Sequence, residues 1–213
     1  MIKHIIFDFD GTIADSSHLT LQIINKLSEK YYHRKFTLEE LTLLKNYPIK
    51  ERFKKLGIPL YKIPRISLDT LNIFKGLVNS INVFDGISEL VADLKAEGFQ
   101  LSIISSNSRE NINRFLENND LDAFEGIISV KKLFGKHNSI SKYLKRRGLK
   151  PGQVIYIGDE LRDIESCKKA SVKIISVTWG YDPVELLSSG NPDYIVHRPE
   201  EILEILKGLN AGV

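Results

Sequence analysis

Two rhythms of apolar residues divide this chain. Ile5-Ile6-Phe7 is a short apolar run that stops at charged residues, the pattern of a buried strand. Residues 17–32 then place Leu19, Ile23, Ile24 and Leu27 at helical spacing, which predicts a helix with one buried face. Thr37 and Glu40 stand where a helix N-cap and its capping-box partner should be. Pro48 opens a further short helix, which Gly57 and Pro59 close. A helix over about 67–80 turns Leu71, Phe74, Leu77 and Val78 inward. Nothing in 17–80 has the period of a strand.

Beyond residue 85 the rhythm changes. Helices predicted over 86–97, 108–118, 137–147, 161–170, 182–189 and 199–208 alternate with strands at 100–105, 126–130, 153–157, 173–177 and 193–196. This alternation predicts a parallel sheet covered by helices on both faces. The expected fold is α/β: a Rossmann-like parallel-sheet core, with a small all-helical cap inserted after the first strand. The core takes residues 1–15 and 82–213, the cap 16–81.

Composition narrows the options. At 42% hydrophobic and 27% charged, 213 residues can bury one sizeable core plus a small second unit. The net charge of +3 comes without a basic run, so nucleic-acid binding is not expected. The single cysteine, Cys167, allows no internal disulfide, which fits a reducing cytoplasm. It lies in a helical pattern with no histidine nearby and is expected to be packed rather than reactive. No signal peptide is expected, and no apolar run approaches the ~20 residues a bilayer requires.

Candidate chemistry gathers where strands should end. The first strand runs into Asp8-Phe9-Asp10-Gly11-Thr12, two carboxylates followed by a tight turn. Paired acids there must be desolvated against mutual repulsion, so they point to a metal and a nucleophile rather than to stability. The second strand ends in Ser105-Ser106-Asn107, Lys136 lies in the loop after the third, and the fourth ends in Gly158-Asp159-Glu160-Leu161-Arg162-Asp163. Ligands of an open parallel sheet bind beyond such carboxyl ends.

With these four segments in order, the chain resembles the haloacid dehalogenase-like hydrolase superfamily over its whole length. Phe84-Asp85-Gly86 before a helix resembles the return from cap to core in the subgroup with a helical cap. Val177-Thr178-Trp179-Gly180-Tyr181 and Pro192-Asp193-Tyr194 resemble the phosphoglycolate-phosphatase-like members. The resemblance implies a Mg²⁺-dependent phosphatase of small phosphorylated metabolites, phosphoglycolate-like or sugar phosphates. Asp8 would be the nucleophile that forms an aspartyl phosphate. Asp10 would protonate the leaving alcohol and then activate water. Asp8, the backbone carbonyl of Asp10, and Asp159 would hold the metal, with Asp163 supporting through water. Ser106, the amide of Asn107 and Lys136 would bind and stabilise the phosphoryl group. An aspartate at position 10 disfavours the metal-free dehalogenases and the transport ATPases of the superfamily. A phosphomutase of the β-phosphoglucomutase type is the alternative, and a non-catalytic regulatory binder a further one. A monomer or homodimer without nucleic-acid or membrane partners is expected.

Several choices stay open. Ser105 and Ser108 compete with Ser106, and Lys131 and Lys132 with Lys136. Histidines 4, 18, 33, 137 and 197 do not cluster; His18, just after the first motif, is a candidate substrate contact. Trp179 is expected to pack rather than stack on a substrate. Two departures from the family pattern stand out. Lys45-Asn46-Tyr47-Pro48-Ile49-Lys50 lacks the glycine of many phosphoglycolate phosphatases, and Ala170-Ser171-Val172 replaces the usual Ala-Gly-Val.

Overall fold

The computed structural model describes residues 1–32, 35–130 and 135–212. His33, Lys131 and Lys132 lie outside the described residues. Six strands form one parallel sheet in the order β5-β4-β1-β6-β7-β8: β1 His4–Phe7, β4 Gln100–Ser105, β5 Phe124–Ser129, β6 Val154–Gly158, β7 Lys173–Val177 and β8 Tyr194–Val196. β1 is central and buried along its length. Its side chains alternate between two cores, as strand geometry requires. Ile5 and Phe7 join Ile103, Ile155 and Val177 on one face, under α5 (Ile87–Ala96), α6 (Arg109–Asn118) and α10 (Glu200–Ala211). Ile6 joins Ile104 and Tyr156 on the other, under α7 (Lys136–Arg147), α8 (Leu161–Ala170) and α9 (Val184–Ser189).

Between β1 and α5 the chain leaves the sheet. It passes through β2 (Ala14–Asp15), four helices, and β3 (Asn82–Val83). The helices are α1 Ser17–Tyr32, α2 Leu38–Lys45, α3 Ile49–Lys55 and α4 Ile63–Leu77. β2 and β3 pair antiparallel, Ala14 with Val83 and Asp15 with Asn82. Two-residue strands carry no period, so this ribbon was not legible.

Local signals fared unevenly. Glu40 donates its amide to Thr37 Oγ1 (3.2 Å) and accepts the Thr37 amide (2.9 Å), completing the capping box. α4 starts at Ile63 rather than near 67, because Pro64 sits in its first turn, where a missing N–H costs nothing. Ser171, in place of the usual glycine, takes a left-handed conformation (φ 55°) at the end of α8.

Candidate active site

The first motif is a loop closed on itself. The amides of Ile13 and Ala14 both donate to the Phe9 carbonyl (2.9 and 3.0 Å), and Gly11 adopts φ 78°. This turn lifts Asp8 and Asp10 beyond the end of β1. Asp8 accepts the Phe9 amide at Oδ1 (2.8 Å) and Lys136 Nζ at Oδ2 (2.7 Å). Lys136, at the start of α7, also reaches Asp163 Oδ1 (2.5 Å). All three side chains are buried. Burial opposes ionisation of Asp8, but the Lys136 ammonium and the Arg162 guanidinium hold it below the usual carboxylate range. Burial opposes the charge of Lys136 too, yet Asp163 and Asp8 keep it firmly protonated.

Asp10 behaves oppositely. Burial and the neighbouring Asp8 charge push its carboxyl up to about 7. Asn107 Nδ2 donates to both its oxygens (3.3 and 3.0 Å), and Ser16 Oγ lies 3.4 Å from Oδ1. Asn107 is in turn held by its neighbours. Its side-chain oxygen accepts the Ser108 amide and Asn111 Nδ2, and its carbonyl accepts Ser129 Oγ. Its amide donates to Ser105 Oγ (3.2 Å), so Asn107 orients Asp10 here rather than offering a free amide to a ligand. The three serines take different places. Ser105 holds that amide, Ser108 caps α6 by accepting the Asn111 amide, and Ser106 lines a cavity beside Asp10 and Asn107.

Asp159 accepts Thr12 Oγ1 (2.9 Å) and the Tyr181 amide (2.8 Å). Among the described residues, the carboxylates whose oxygens converge within 4.8 Å are Asp8, Glu160 and Asp163. Asp8 and Asp163 are thus brought together as expected. Glu160 stands in this group, and Asp159, beside it, is held by the Thr12 hydroxyl and the Tyr181 amide. Glycine is needed at two positions packed against Asp159: a Cβ on Gly11 or on Gly180 would collide with its side chain.

A divalent cation fits this donor set. Five acids, Asp8, Asp10, Asp159, Glu160 and Asp163, surround two cations, Lys136 and Arg162. Burial pushes Asp163 up to about 7 and Asp159 well above its ordinary value, so the cluster lacks positive charge. Buried carboxylate oxygens are the ligands a hard cation takes.

Glu160 and Arg162 are the residues that sequence reasoning missed. Both lie between the two aspartates of the fourth motif, which was the signal available. Arg162 donates from Nε to Glu160 Oε2 (2.5 Å), while its Nη1 is buried without a partner. His18, the candidate substrate contact, is exposed and is not among the residues lining the cavity. Cys167 is fully buried, and burial pushes its thiol well up, as suits a packed side chain. Trp179 packs on the core and donates Nε1 to the Thr12 carbonyl (3.2 Å), bracing the first motif.

A buried carboxylate paired with a lysine lies at the carboxyl edge of a parallel sheet, and the chain belongs to the family of haloacid dehalogenase-like hydrolases, whose model matches residues 5–177. The chain is 27% identical over 209 residues to the phosphoglycolate phosphatase of Synechococcus elongatus, covering 98% of this chain and 99% of that protein. It is 26% identical over 213 residues to a putative pyrophosphatase PpaX of Caldanaerobacter subterraneus, covering 97% and 96%. The solved structure of a predicted phosphatase from Clostridium acetobutylicum superimposes with a TM-score of 0.84 at 25% identity, covering 97% of this chain and 99% of that one.

Proposed function

We propose that this protein is a metal-dependent phosphatase of small phosphorylated metabolites, working through an aspartyl phosphate on Asp8. The observation that carries the reading is the different surroundings of two neighbouring carboxyls. Lys136 Nζ lies 2.7 Å from Asp8 and holds it below the usual carboxylate range, while Asn107 Nδ2 aims Asp10, whose carboxyl burial and the Asp8 charge push up to about 7. One carboxylate is ready to attack and its neighbour ready to donate.

Asp8 forms a bond to phosphorus as the bond to the leaving oxygen breaks. Asp10 gives that oxygen its proton, and the alcohol leaves. Asp10, now ionised, takes a proton from water, whose oxygen attacks phosphorus and frees Asp8 and inorganic phosphate. Asn107 keeps Asp10 aimed through both steps. Ser106, Lys136 and the unpartnered Nη1 of Arg162 supply donors for phosphoryl oxygens. Mg²⁺ would be held by Asp8 and Asp163 with Asp159 or Glu160 and the Asp10 carbonyl, supplying the positive charge that lets a dianionic phosphate approach a carboxylate.

We place residues 16–81 as a cap over this site, joined to a core of 1–15 and 82–213 through the β2–β3 ribbon. Among the described residues no helix is long and apolar enough to cross a membrane. A single buried cysteine supports a cytoplasmic setting, with the protein a monomer or homodimer. The test is phosphate release from a panel of phosphomonoesters and pyrophosphate, with Mg²⁺ and with chelator. Release that chelator abolishes is expected. No release from any compound by folded, metal-loaded protein overturns the reading, and an isomerised phosphorylated product instead assigns a mutase.

A further inference from the structure

The cavity beside Asp10 does not stop at the active site. It has a volume of about 360 Å³ and continues from Asp10, Ser106 and Arg162 into the interior of the helical section. That lies at the low end of small-ligand sites, which run to about 300–1,000 Å³. At about 30 Å³ per water-sized atom, it holds roughly a dozen non-hydrogen atoms.

Its two ends differ chemically. The core end carries the acids, Ser106 and Arg162. The far end is walled by Ile24, Leu27, Phe36, Phe53, Leu56 and Ile66. The polar groups among its other walls are largely occupied. Tyr31 donates to Asp69, Thr70 to the Ile66 carbonyl, and Ser17 to Asp15. Arg52 borders the cavity, but its Nε and Nη2 are engaged by the carbonyls of Leu44, Tyr47 and Lys45 and by Asp182. Among the described residues lining this end, one buried hydroxyl lacks a partner: Ser28 Oγ, which does not bond back to its own helix. A native interior rarely leaves such space and such a hydroxyl unmet.

We infer that the preferred substrate is a phosphomonoester whose alcohol has an apolar body of medium size, such as an aliphatic chain of about six carbons, seated in this chamber. The inference rests on the phosphatase reading above and selects among its substrates. The phosphoryl group occupies the polar end; the body fills the apolar one. Ser28 can satisfy a single hydroxyl or carbonyl on that body. Phosphoglycolate or pyrophosphate would bring no apolar body to Ile24, Leu27 and Phe53 and would leave that end of the chamber unfilled.

The experiment is a chain-length series, ethyl, butyl and hexyl phosphate, beside phosphoglycolate and pyrophosphate. kcat/KM is measured with Mg²⁺, and Kd by calorimetry on Asp8→Asn protein, which does not turn over. Each buried methylene is expected to raise kcat/KM and tighten Kd about fourfold, the ratio set by about 0.8 kcal/mol of transfer free energy. Hexyl phosphate should therefore exceed ethyl phosphate by about two-hundredfold and also exceed phosphoglycolate. Ile24→Trp should narrow the gap between hexyl and ethyl phosphate. Turnover that is flat with chain length, or highest for phosphoglycolate or pyrophosphate, overturns the inference and leaves the phosphatase reading standing. No turnover of any compound overturns the phosphatase reading; the calorimetric series then decides the chamber by itself, and equal Kd for ethyl and hexyl phosphate rejects it.

Discussion

Arg52 of α3 and Asp182, which follows β7, form a buried ion pair between the helical section and the sheet. The guanidinium also stacks over Tyr181 (4.8 Å), and the other Asp182 oxygen accepts the Leu161 amide (2.8 Å) at the start of α8. One side chain thus connects the helical section to the helix that bears Asp163. Removing one partner of a buried pair leaves an uncompensated charge, at a cost of about 3–5 kcal/mol. Arg52→Met should destabilise the protein by that order in denaturant unfolding. A loss below about 1 kcal/mol would mean that water or another cation reaches Asp182.

Asp8→Asn should lower phosphate release by about 10⁴–10⁶-fold, the order expected when the nucleophile of a concerted unit is lost. The fold should survive, since amide and carboxylate are nearly isosteric. Circular dichroism and single-turnover kinetics on the same sample check both halves. A variant with full activity would show that another group attacks phosphorus.

The metal-free protein should lose stability as pH rises from about 4 to 7. Burial, joined at Asp10 by the Asp8 charge and opposed at Asp163 by Lys136, holds both carboxyls at about 7 in the folded state. Unfolded, they titrate near 4. In that window the folded state binds more protons than the unfolded one, so the slope of stability with pH is negative, about 1.4 kcal/mol per pH unit for each group. A divalent cation should then displace about one proton on binding at pH 6. Calorimetry in buffers of different ionisation enthalpy measures this, and an enthalpy independent of buffer would refute it.

Gly180→Ala should weaken metal binding and activity together. Its Cβ would meet the Asp159 carboxylate and the Gly11 carbonyl, forcing one of them to move. Gly57→Ala is the control: nothing lies near its Cβ, although its φ is positive, 68°. The control should cost about 1 kcal/mol of stability through its left-handed backbone and leave metal affinity unchanged. Equal metal affinity in the two variants would dissociate Asp159 from the metal.

Ser171→Gly should stabilise the protein by about 0.5–1 kcal/mol. Ser171 holds φ 55° at the C-terminus of α8, a conformation that costs an ordinary residue roughly 1–2 kcal/mol and glycine almost nothing. Part of that gain is offset by the greater backbone freedom of glycine in the unfolded chain. Thermal unfolding provides the readout, with activity unchanged.

The sequence by itself determined the sheet, the inserted helical section and the positions of the four motifs. Strand and helix periods are local, and β1, β4 and α8 carry them without interruption. The acids at the ends of β1 and β6 were legible for the same reason: polar residues closing buried strands must face the carboxyl edge of the sheet. Period tells which face of an element is buried but not what it is buried against. Ile23 and Ile24 share one apolar pattern on α1 and both border the cavity, yet only Ile23 also joins the core beneath the sheet. The pairing of Arg52 with Asp182, 130 residues apart, has no local signature either. Nor do the bonds that orient the Asp159 carboxylate, from Thr12 and the Tyr181 amide, or the approach of Glu160 to Asp8 and Asp163. These were decided only when distant segments met, because a buried charge takes its state and its direction from the partners that folding brings to it.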